Sequence, residues 1–210
     1  MSCNLSLVLR TVAASGRRLP AARGRLVAVA LLVLAAVLPL RAAAAASPDP
    51  SGIDVAVRRD GEAIVVDVNL VVRASPQEAW DVLTDYDHMT QFVSSLTMSR
   101  IVGHPDGRLM VAQTSRVRVG PLAFKFDSVR EIELIPPREI RSRLVRGDMK
   151  ASTFTTQLVP EAGATRIINH ARYLPDRWIP PVIGLALLRT ETRMQFSDLR
   201  AEILRREARD

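Results

Sequence analysis

One cysteine, three histidines and two lysines are all that this 210-residue chain carries of those types, and each scarcity removes a class of chemistry. Cys3 lies within a segment that reads as a removable leader, so a chain starting near residue 47 has no cysteine at all. Disulfides, thiolate nucleophiles, iron–sulfur clusters and cysteine zinc sites are thereby excluded from it. His88, His104 and His170 show no H-x-x-x-H or related spacing, and no metal site is expected. No serine or cysteine nucleophile motif accompanies them, so no catalytic residue is assigned, and no cofactor is expected. Acidic residues are absent from one region only. Residues 1–46 hold six arginines and no acid; setting those six aside from 29 basic residues leaves 23 against 22 acids, a net of +1. The basicity belongs to the leader, and nucleic acid is not an expected partner. Arginine outnumbers lysine 27 to 2, which fits a coding bias better than phosphate recognition.

Long apolar runs are scarce as well. Leu26 to Leu40 is about fifteen uncharged residues, preceded by arginines and followed by Arg41 and a string of alanines. Basic region, apolar core and small-residue exit are the order of a secretory signal. The run is shorter than the roughly 20 residues of a spanning helix, which makes an uncleaved membrane anchor the weaker alternative. Cleavage is expected after Ala46, where Ala44 and Ala46 supply the A-x-A pattern. The expected organisation is a signal peptide over residues 1–46, a linker over 47–52 (SPDPSG) and one domain over 53–210, in the periplasm or otherwise exported.

About 160 residues remain, enough for a single core. Ile53 to Arg58 and Ala63 to Arg73 are strand-like and joined at Asp60-Gly61, a hairpin signal. Ile64, Val66, Val68, Leu70 and Val72 share one face, with Asp67, Asn69 and Arg73 on the other, the mark of a sheet covered on one side. Ser75-Pro76-Gln77-Glu78 opens a helix with an N-cap, a first-position proline and a capping box. A short helical piece follows through Phe92. Period-two patterning then predicts strands at Thr97 to Gly103, Arg108 to Val119, Leu122 to Leu134, Glu139 to Arg146, Lys150 to Val159 and Ala164 to Leu174. Their short Gly, Pro and Asp connections imply an antiparallel meander. Leu185, Leu188, Thr192, Phe196, Leu199 and Ile203 recur at helical spacing, so a long helix ends the chain.

Strand, short helix pair, six-stranded meander and long terminal helix resemble the START-like, or polyketide cyclase (SRPBCC), superfamily, and within it the coenzyme Q-binding START-domain proteins. The residues that carry the resemblance are Val72-Arg73-Ala74-Ser75-Pro76-Gln77-Glu78-Ala79-Trp80-Asp81-Val82-Leu83-Thr84-Asp85-Tyr86, with Phe92 following. Met89 to Ser95 departs from relatives that carry prolines there. The resemblance implies an α+β helix-grip fold, a curved antiparallel sheet wrapped around the C-terminal helix. It also implies a cavity between them for a hydrophobic small molecule of the lipid, isoprenoid or quinone class. It does not imply catalysis, because the fold hosts both carriers and enzymes. A carrier is the first expectation; a cyclase or aromatase, or a closed envelope interaction module, is the alternative.

Parity and helical spacing nominate the residues that line such a cavity: Val68, Leu70, Phe124, Phe126, Leu185, Leu188 and Phe196. Arg130 shares the Phe124 and Phe126 face, a cation among apolar residues that needs an acid, a carbonyl-bearing ligand or water. The alternatives there are a bulge that flips parity and an internal ion pair. Trp178, Ile179 and Ile183, in an apolar segment with two prolines and a glycine, are the expected gate, and a transient membrane contact at that edge is the second expected partner. A stiff turn delivering a buried helix is the plainer reading of the same segment. Asp85 and Asp87, beside a helix end, read as backbone caps. His170 is either polar lining or outer face. Oligomeric state is not legible.

Overall fold

Residues 52–119, 122–176 and 181–209 are described by the computed structural model of the chain. The expected leader lies outside them, as do Trp178 and Ile179 of the expected gate. β1 (Ile53–Asp60) and β2 (Ala63–Val72) form an antiparallel hairpin, Ile53 opposite Leu70 and Asp60 opposite Ala63. Gly61 turns it at φ +59°, the left-handed conformation that an Asp-Gly turn uses.

α1 (Pro76–Leu83) starts at the expected capping box. Glu78 N–H donates to Ser75 Oγ at 3.2 Å, and Ser75 N–H donates to Glu78 Oε2 at 2.6 Å. Ala79, Trp80, Val82 and Leu83 form its buried side. A single 3₁₀ turn, Met89–Gln91, is the short helical piece, and it drops Met89 and Val93 into the core. Then come β3 (Leu96–Gly103), β4 (Leu109–Val119), β5 (Leu122–Ile135), β6 (Glu139–Gly147), β7 (Met149–Glu161), β8 (Ala164–Pro175) and α2 (Pro181–Glu207).

The meander pairs each strand from β3 to β8 with the next, and β8 then pairs with β2. All eight strands form one antiparallel sheet in the order β1-β2-β8-β7-β6-β5-β4-β3. This is the helix-grip arrangement. Ladder registers carry one face across the sheet: Val68 opposite Asn169, Leu158 opposite Ile167, Ser142 opposite Phe154, Arg130 opposite Val111. That face is the inner one, since Val66, Val68, Leu70, Val111, Ile132, Ile140, Leu158 and Ile167 are all buried in the core.

α2 packs against β1, β2 and α1. Phe196, Leu199 and Ile203 are buried there, each worth about 2 kcal/mol of apolar transfer. The loop before β3 clasps the same stretch of helix: the backbone N–H and hydroxyl of Ser94 both donate to Asp198 Oδ2, at 2.8 and 2.6 Å. Nearer the C-terminus Arg206 donates to Asp85 Oδ2 at 2.7 Å and to Glu202 Oε1 at 2.7 Å, and lies over the Phe92 ring. Asp85 therefore ties α1 to α2 rather than acting as a plain backbone cap, whereas Asp87 Oδ1 does accept a backbone N–H, from Ile101 at 2.7 Å. Among the described residues no helix is long and apolar enough to cross a membrane.

Candidate functional site

Arg130 is only 7% exposed, and it sits on the inner face of β5. A bulge does occur beside it, but on the neighbouring strand: Val129 faces Arg146 and Arg130 faces Leu144, so Val145 is the extra residue and β5 keeps its parity. No ion pair accounts for the burial either, since among the described residues Arg130 makes none. Three neutral acceptors receive its donors. Nε donates to Ser142 Oγ at 2.7 Å, Nη1 to Ser152 Oγ at 3.1 Å, and Nη2 to the Ser152 carbonyl at 3.4 Å. The guanidinium carbon lies 4.5 Å from the centre of the Phe154 ring, a cation–π distance. Burial pulls this guanidinium below its usual value, partly countered by Tyr173 and Tyr86, although an arginine stays charged.

The two tyrosines complete the polar cluster. Tyr173 stands opposite Ser152 in the β7–β8 ladder, and Tyr86 is buried in the turn after α1. Among the described residues neither phenol makes a hydrogen bond. Burial pushes both phenols above their ordinary range, against the pull of Arg130, so at neutral pH both are protonated donors.

Phe126 and Phe124 follow Arg130 along the same face of β5, four and six residues away. They are 37% and 45% exposed, unusual for aromatic side chains on the core-facing side of a sheet. Val68, Leu70 and Phe196 occupy a different place, in the packed core where α2 crosses β1 and β2. Leu185 and Leu188 are partly buried at the edge of that core. Ile183 lies in the first turns of α2, and its side chain is outside the described residues. The histidines stand apart: His170 is on the outer face with Nδ1 2.6 Å from Asp67, His88 is 2.6 Å from Asp85, and His104 is exposed.

Of the residues nominated from the sequence, Arg130, Phe124 and Phe126 lie together on one face of β5, whereas Tyr86, Ser142, Ser152, Phe154 and Tyr173 around Arg130 were not nominated. A signal for the serines was present, because Ser142 alternates with Ile140 and Leu144, and Ser152 with Phe154 and Leu158, on largely apolar faces. Tyr86 belongs to the stretch that carries the family resemblance, and nothing local indicates what its ring approaches.

Residues 72–200 match the model of a family described as polyketide cyclase / dehydrase and lipid transport. No curated protein matches the sequence. Among solved structures, a START superfamily protein from Mycobacterium smegmatis is similar at TM-score 0.59 and 14% identity, with 67% of this chain and 97% of that one covered. A STAR-related lipid transfer protein from Xanthomonas axonopodis has TM-score 0.59 and 15% identity, covering 74% and 95% respectively. An aromatase/cyclase from Streptomyces sp. R1128 has TM-score 0.55 and 17% identity, covering 70% and 95%. At these identities the likeness is one of fold.

Proposed function

The chain belongs to the polyketide cyclase / dehydrase and lipid transport family, and from that premise we propose that it is a non-enzymatic binder or carrier of a hydrophobic small molecule in the cell envelope. The observation that carries the reading is the aromatic pair Phe124 and Phe126, half-exposed on the inner face and leading to the buried Arg130. A sheet face of that kind stays apolar and uncovered at a cost in stability unless something apolar occupies it. The polar end at Arg130 then fixes the orientation of the occupant. Lipids, isoprenoids and quinones all have the required shape, an apolar body with one polar end. Export by the leader, release near Ser47 and a gate at Trp178, Ile179 and Ile183 are parts of the same proposal.

One observation favours a second reading, an enzyme of the cyclase or aromatase kind. Glu191 on α2 has a buried Oε2 without a hydrogen-bond partner among the described residues, and burial pushes its carboxyl above the ordinary range, as a general acid requires. The tyrosines do not help that reading as bases, since both are held protonated.

Native purification from the envelope fraction, solvent extraction and lipid mass spectrometry test the carrier. A single apolar species recovered in near-stoichiometric amount is expected. A protein that carries nothing and takes up no apolar probe overturns the proposal. Terminal sequencing of the same material is expected to begin close to Ser47, and an intact cytosolic chain overturns the export component.

A further inference from the structure

The described interior holds two charged residues, and they are treated differently. Glu202 is buried beside two cations, accepting from Arg205 at 2.6 and 2.5 Å and from Arg206 at 2.7 Å. Arg130 is equally buried and has no acid. Its neighbours are neutral: two serine hydroxyls, one carbonyl, one phenyl ring and two phenols. A guanidinium has five N–H groups, and three of them are used. The serine oxygens that accept from it are thereby engaged, while Tyr86 and Tyr173 add further donors. Elsewhere on this face the buried polar groups satisfy each other, Asn169 Nδ2 donating to Thr156 Oγ1 at 3.0 Å. The Arg130 cluster alone combines an uncompensated positive charge with an excess of donors. What it lacks is an anion with acceptor oxygens.

Resting on the carrier reading above, we infer that the ligand is an apolar amphiphile ending in a single carboxylate, seated on Arg130 with its tail along β5 past Phe126 to Phe124. A carboxylate carries one charge and presents two oxygens, which matches the single charge of Arg130 and the two N–H groups left over, one on Nη1 and one on Nη2. A neutral carbonyl or hydroxyl accepts a hydrogen bond and leaves the charge uncompensated. A phosphomonoester carries nearly two negative charges, and the single positive charge of Arg130 balances only one of them. The path to the aromatic pair matches a tail: at roughly 3.3 Å per residue, Phe126 lies about 13 Å and Phe124 about 20 Å from Arg130 along the strand. Phe154 beneath the guanidinium keeps the polar end flanked by apolar surface.

The test uses the chain without its leader and three probes of one tail length: a saturated fatty acid, the corresponding primary alcohol and the methyl ester. Each competes against a fluorescent apolar dye at pH 8, where the acid is ionised. In the unsubstituted protein the acid is expected to displace the dye at least ten times more tightly than the alcohol or ester. Arg130→Gln should erase that preference while leaving alcohol affinity within about threefold, and Arg130→Lys, which keeps the charge and loses the fork, should retain part of it. Equal affinity for acid and alcohol in the unsubstituted protein overturns the inference and leaves the carrier reading standing, as does an acid preference that survives Arg130→Gln. Failure of all three probes and of the dye to bind overturns both. If Arg130→Gln does not fold, the comparison in the unsubstituted protein and in Arg130→Lys still decides.

Discussion

Replacing Arg130 by methionine asks whether the buried cation belongs to the fold or to the ligand. Methionine keeps most of the aliphatic volume and preserves a contact with Phe154, exchanging a cation–π contact at 4.5 Å for a sulfur–aromatic one. The substitution removes an uncompensated buried charge, whose desolvation costs several kcal/mol. It also strands the hydroxyls of Ser142 and Ser152, which are 5% and 3% exposed, at about 1–3 kcal/mol each. The two effects oppose, and the single variant is expected to lie within about 2 kcal/mol of the unsubstituted protein. Adding Ser142→Ala and Ser152→Ala removes the stranded groups and leaves the relief of the charge. The triple variant is therefore expected to gain about 1–4 kcal/mol, the range seen when buried ionic groups give way to apolar ones. For a domain of this size a gain of about 2 kcal/mol raises Tm by roughly 4–8 °C. Urea denaturation of ligand-free protein, with thermal melts alongside, measures both variants. A triple variant less stable by more than about 2 kcal/mol would refute the reasoning, because it would make the Arg130 network a structural element that the fold needs without a ligand.

Ile203→Ala, at a fully buried position on α2, is expected to cost about 2–5 kcal/mol, read as a lowered urea midpoint at unchanged slope; a loss under 1 kcal/mol would mean α2 is not clamped on β1 and β2 there. Glu202 is held down to about 2 from an ordinary 4.5 by hydrogen bonds from Arg205, against desolvation, with Arg206 adding to the effect. A depressed folded value means that its stabilisation is whole above about pH 4.5 and is lost as pH falls toward 2. Glu202→Gln should therefore cost roughly 1–3 kcal/mol at pH 7, discounted for the exposure of Arg205, and flatten the stability curve between those pH values; an unchanged curve contradicts the assignment. Ile183→Asp should slow uptake of an apolar probe and weaken contact with vesicles more than it lowers stability. Strong destabilisation with normal uptake by the folded fraction places the entrance elsewhere.

The sequence alone determined the local parts of this protein. Asp60-Gly61, the Ser75 to Glu78 capping box and the Gly, Pro and Asp separators act within a few residues, so the element order and most boundaries were legible from them. Alternation along single strands likewise separated Val68 and Leu70 from Asp67 and Asn69, because side-chain direction in a strand has a fixed period. Parity alone left Arg130 open between the inner face and a bulge that would flip it, and the structure puts the bulge on β6, so that Arg130 keeps the inner face. Its surroundings were another matter. Ser142, Ser152 and Tyr173 come from three different strands and Tyr86 from the turn after α1, so their convergence depends on the register of the ladders from β5 to β8 and on the closure of β8 onto β2. The Asp85–Arg206 tie and the Ser94–Asp198 clasp each span more than a hundred residues of chain and follow no local pattern. Which apolar residues pack under α2 and which remain open was decided by where the helix crosses the sheet: over β1 and β2, closing on Val68, Leu70 and Phe196, with Phe124 and Phe126 left uncovered on β5. Hydrophobicity and spacing are the same for both sets, and only the tertiary contact distinguishes a packed core from an exposed inner face.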